Sequence, residues 1–124
     1  MKTRIFIVLA MAFSMVGVAQ KSELKAADKA LKSGSSAEAK TQLESIAGMI
    51  EGADARVQAQ YYYLRGKVYA DLAKKGDNSA FKEAADSYNM VISTEEKSGK
   101  AKYTTETRQL MGAMTSDLVN SAVE

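Results

Sequence analysis

Residues 61–73 read Tyr-Tyr-Tyr-Leu-Arg-Gly-Lys-Val-Tyr-Ala-Asp-Leu-Ala, and their spacing decides the fold. Successive residues of a helix are turned by about 100°. On that period Tyr61, Leu64 and Val68 continue a line begun at Val57, and Tyr62, Tyr69 and Ala73 form a second line beside it. An apolar face this broad needs two neighbours to cover it. Asp54 stands where an N-cap belongs, and Lys74-Lys75-Gly76 makes a fitting end, because cations favour the negative pole of a helix and glycine breaks the turn. Three consecutive tyrosines cannot all point inward. At least two are core, and Tyr63 is the candidate surface contact.

Outward from this segment the punctuation is glycine and serine, never proline, and helical spacing continues on both sides. A following helix is expected from Ser79 to Thr94, with Phe81, Ala84, Ala85, Tyr88, Val91 and Ile92 as its stripe. Lys97-Ser98-Gly99-Lys100 reads as a polar connector, after which Leu110, Met111, Met114, Leu118 and Ala122 carry the spacing on toward Glu124. Upstream, Leu24, Ala27 and Leu31 make a stripe ended by Ser33-Gly34. Ser35 with Glu38 then reads as a capping box opening a helix with Ala39, Leu43, Ile46 and Ile50, closed by Gly52. The expectation is an all-α chain of five helices.

Residues 1–19 are of another kind. Lys2 and Arg4 precede an almost wholly apolar run from Ile5 to Val18, and Gly17-Val18-Ala19 places small residues before Gln20. That is the layout of a secretory signal peptide, with cleavage expected after Ala19. The run is shorter than the roughly 20 residues needed to cross a hydrocarbon core. The chain is therefore expected to be exported, periplasmic or secreted, with no stable membrane span after cleavage. A lipid-anchored form is excluded by the absence of cysteine. Without Lys2 and Arg4 the remaining 105 residues carry 15 basic and 15 acidic side chains, so no nucleic-acid footprint is expected.

The helices fall into two antiparallel pairs with related patterns. Tyr62, Leu64, Arg65, Gly66, Val68 and Tyr69, followed by Phe81, Ala84, Tyr88 and Val91, resemble the tetratricopeptide repeat: an aromatic, a large residue beside a small one, a tyrosine, then alanine and an aromatic four residues later. Ala27, Ala30 and Gly34, followed by Ala39, Leu43 and Ile46, match it more loosely. The resemblance spans Ser22 to Ile92, with a trace at Met111-Gly112. It departs from the family by about six extra residues between Gly66 and Phe81, an insertion before the tyrosines, and the missing closing proline. It implies a domain over 20–124 of stacked antiparallel helix pairs forming a superhelix; an irregular helical bundle is the alternative. It implies a repeat core of Tyr62, Gly66, Tyr69, Phe81, Ala84, Tyr88, Val91, Ala39, Leu43 and Ile46. It also implies a partner-binding groove lined by Tyr63, Leu64, Lys67 and Asp71, with Lys21, Lys25 and Asp28 from the first helix. Leu24, Asp28 and Leu64 stand where family members that clamp a C-terminal carboxylate place basic or amide side chains, which argues against that ligand.

The composition also removes chemistry. With no Cys and no His, a thiolate nucleophile, a Ser-His-acid triad and a Cys/His metal site are impossible, and no cofactor is expected. A carboxylate hydrolase would need two close acids in a deep pocket; Glu95-Glu96 reads instead as solvated charge. The expected function is a non-enzymatic exported module that binds a protein or peptide. The alternative is an N-terminal scaffold or dimerisation segment of a larger envelope protein whose active part follows residue 124. A repeat stack needs about three repeats and a cap. The last stripe, Leu110, Met111, Met114 and Leu118, is accordingly expected either to pack back as a cap or to form a homodimer.

Overall fold

The computed structural model describes residues 20–123, with side chains through 120. The expected signal peptide, its cleavage site after Ala19 and the side chain of Ala122 lie outside the described residues. The chain is all-α: helix α1 over 20–32, α2 Ser36–Ile46 followed by a 3-10 turn Ala47–Met49, α3 Ala55–Lys74, α4 Ala80–Ser98 and α5 Thr104–Val123, with no strand among the described residues. Helix α3 is the centre, packed most extensively against α4 and also against α2, while α5 lies mainly on α4.

One core runs through the stack. Leu24, Ala27 and Ala30 of α1 meet Leu43 and Ile46 of α2, Tyr61, Leu64 and Val68 of α3, and Val91 of α4. A smaller cluster of Ala73, Ala80 and Phe81 sits under the α3–α4 turn, with Met114 of α5 packed on it. Leu110 packs on the main core in the same way. Two of the four residues expected to close a cap or a dimer are thus turned into their own chain. Leu118 is 44% exposed.

The helix stops follow local chemistry. Gly76 takes φ 116°, and the N–H groups of Gly76 and Asp77 return to the carbonyls of Ala73 and Leu72, which satisfies the last carbonyls of α3. The same pair of bonds closes α1 at Gly34. The Asp54 side chain caps α3 by accepting from the Val57 N–H at 3.0 Å.

Three local expectations are corrected. Helix α2 ends at Ile46 rather than Gly52, because the chain tightens into the 3-10 turn and Gln58 of α3 donates to the freed carbonyls of Ile50 and Glu51. Ser35 occupies the N-cap position of α2 without a side-chain bond; it is Ser36 that is engaged, its hydroxyl donating to Asp71 across the fold. Helix α4 continues to Ser98, a turn beyond Thr94, because Thr94 and Glu95 are buried where α5 begins.

Candidate binding cleft

The expected contact of α3 with α4 forms around one glycine. Gly66 is buried, and a Cβ placed on it would run into the ring of Tyr88, which has no exposed surface. Glycine is what lets the two helices close to this distance. Beside it Arg65 ties α3 to α4: Nη2 donates to Glu83 Oε2 at 2.7 Å, Nη1 donates to Ser87 Oγ at 2.5 Å, and the guanidinium lies 4.6 Å from the Tyr69 ring centre. Lys40 of α2 approaches the same ring at 5.7 Å, so Tyr69 is half-buried between two cations. Tyr62, set edge-on to Tyr61 at 5.1 Å, is also half-buried; the other eight residues of the expected repeat core are buried.

The expected groove divides. Tyr63 is not a surface residue: it is 8% exposed and stacks on Tyr103 at 4.5 Å, because the start of α5 folds over it. Leu64 is likewise in the main core, 2% exposed. Lys67 and Asp71, one and two turns on, do open onto a cleft of about 520 Å³, shared with Leu31, Lys32 and Gly34 at the end of α1, Ser36 at the start of α2, and Leu110 of α5. Asp28 reaches its edge through an ion pair with Lys32 at 2.9 Å. Lys21 and Lys25 are exposed and line no part of it.

Within the cleft, Asp71 accepts from the Ser36 hydroxyl and from Lys75 at 2.9 Å, and these two bonds, the serine's first, hold its carboxyl below the usual carboxylate range. Tyr88 lines the cleft from α4. Burial first, and then the Glu106 charge, push its hydroxyl well above the ordinary tyrosine value. The Tyr63 hydroxyl moves the same way through burial and its bond to Glu106. Ser36, Lys32, Tyr88 and Leu110 were invisible as cleft residues in the sequence, since only the packing of α1, α2 and α5 around α3 brings them together.

A second hollow of about 630 Å³ lies at the opposite end of α3, between Asp54, Arg56, Glu95, Lys100, Lys102 and Tyr103. It contains two carboxylates, but each is held by backbone. Asp54 caps α3. Glu95, contrary to its reading as solvated charge, is 4% exposed and accepts from the N–H groups of Lys102 at 2.9 Å, Tyr103 at 2.8 Å and Thr104 at 2.7 Å, and from the Thr104 hydroxyl at 2.8 Å. It serves as the cap of α5 delivered from α4.

Among the described residues no helix is long and apolar enough to cross a membrane. Compared with known proteins, the chain matches no family model, no curated protein and no solved structure.

Proposed function

We propose that the chain is an exported, non-enzymatic module of tetratricopeptide-like helix pairs that holds a protein or peptide partner in the cleft beside α3. The observation that carries this reading is the position of Lys67 and Asp71, two residues singled out by the repeat pattern, in one open cleft with the ends of α1 and α2. The walls mix apolar Leu31, Ala70 and Leu110 with charged and hydroxyl groups, a surface suited to recognising both backbone and side chains. The order of packing, α2 on α3, α3 on α4 and α4 on α5, agrees with stacked antiparallel pairs. The basic start, apolar run and small residues before Gln20 support export.

A photo-crosslinking residue at Ala70, inside the cleft, and at Asn89, exposed on α4, tests the proposal in source cells. A discrete covalent adduct from position 70 and none from position 89 is the expected result. Equal labelling from both positions, or none from either, would reject the cleft as the working surface.

A further inference from the structure

The charges around the cleft are not equivalent. Lys32 is paired with Asp28 at 2.9 Å, Lys75 with Asp71 at 2.9 Å, and Lys74 with Asp117 at 3.6 Å. Lys67 makes no ion pair among the described residues; its ammonium lies 5.2 Å from the Tyr63 ring centre, at the mouth of the same cleft. A second group is unmatched there. The Tyr88 hydroxyl is buried without a hydrogen-bond partner among the described residues, a state that native structures seldom leave uncompensated.

We infer that the cleft takes an extended peptide through a single acidic side chain, which pairs with Lys67 while a neighbouring apolar side chain lies against Leu31 and Leu110. This rests on the peptide-binding reading above and specifies its ligand. Tyr88 forms part of the cleft wall beside this pair, with its hydroxyl sealed behind the wall. Asp71, occupied on one side by Ser36 and Lys75, keeps lone pairs for a peptide N–H. The single acid follows from counting charges. Of the four lysines that line the cleft, Lys67 alone makes no ion pair among the described residues, and Glu106, close enough to act on both Tyr63 and Tyr88, repels a second negative group. The same carboxylates make the cleft a poor seat for a phosphate chain or nucleic acid, whose recognition needs unopposed cations.

Selection of a random heptapeptide library on the purified chain provides the test. The expected winners carry one Asp or Glu beside a Leu, Ile or Val; exchanging that acid for its amide weakens binding about tenfold, in line with loss of one charge-assisted bond. Lys67→Ala in the chain should erase the acid-over-amide preference without lowering the melting temperature, and Glu106→Gln should strengthen acid binding. Enrichment of neutral or basic peptides would overturn the acidic ligand while leaving peptide binding intact. No enrichment at all would overturn both. Survival of the preference in Lys67→Ala, or displacement of the winners by a short oligonucleotide at equal concentration, would remove Lys67 and the peptide class respectively.

Discussion

Replacing Glu95 by Ala should be among the most damaging changes available at a charged position. The carboxylate accepts from three consecutive backbone N–H groups and one hydroxyl, and its loss uncaps α5. An N-cap alone contributes about 1 kcal/mol, and each hydrogen bond to a charged group about 1.5–3 kcal/mol. Water can reach the exposed Lys102 side of the loop and recover part of this, so a loss of about 3 kcal/mol is reasonable. For a chain of this size, 1 kcal/mol moves the melting temperature by roughly 4–8 °C, giving a drop of roughly 12–24 °C. Glu96, its exposed neighbour, is the internal control: Glu96→Ala should stay within about 0.5 kcal/mol. Circular dichroism melts give the stability, and amide exchange at Thr104 to Leu110 reports whether α5 loosens first. Equal melting temperatures for the two alanine variants, or unchanged protection along α5, would refute the role assigned to Glu95.

Tyr63→Ala removes a ring stacked on Tyr103 and should cost about 3 kcal/mol in urea unfolding; a variant as stable as the parent would return Tyr63 to the surface. Gly66→Ala places a methyl group against the Tyr88 ring, and the roughly 1–3 kcal/mol of overpacking should exceed the helix-propensity gain of about 1 kcal/mol, with Tyr88→Leu in the same chain restoring most of the loss. Asp71 is held below its ordinary pKa in the folded state, so its contribution is complete above about pH 4 and disappears as pH falls below that value; Asp71→Asn should flatten this part of the acid titration, and an unchanged slope would count against the Ser36 and Lys75 bonds. The raised hydroxyls of Tyr63 and Tyr88 act in the opposite sense. Their contribution is present below about pH 10 and is lost as pH rises beyond it, so the tyrosinate absorbance should grow in two steps, the later one coinciding with unfolding.

The helices were legible because their stripes are local. Val57, Leu64 and Val68 on one period, Asp54 at one end and Gly76 at the other, fix α3 without reference to the rest of the chain. The close approach at Gly66 was also readable, since a small residue beside tyrosines has few other uses in such a helix. What could not be read was anything decided by α5. Tyr63 looks like a surface residue on its own helix and becomes core only when Tyr103, 40 positions later, stacks on it. Glu95 and Glu96 are chemically identical in the sequence, and only the chain's return at residues 102–104 buries one and leaves the other in water. The cleft shows the same division. Lys67 and Asp71 follow from the helix pattern, whereas Ser36, Tyr88 and Leu110 join them through packing from three other elements.

The most direct measurement of the cleft's role is amide chemical-shift mapping of the chain as a selected peptide is added. The account predicts shifts confined to residues 31–36, 67–75 and the neighbourhood of Leu110, saturating together with one binding constant. Shifts centred on residues 54–59 and 98–103, at the opposite hollow, would contradict it.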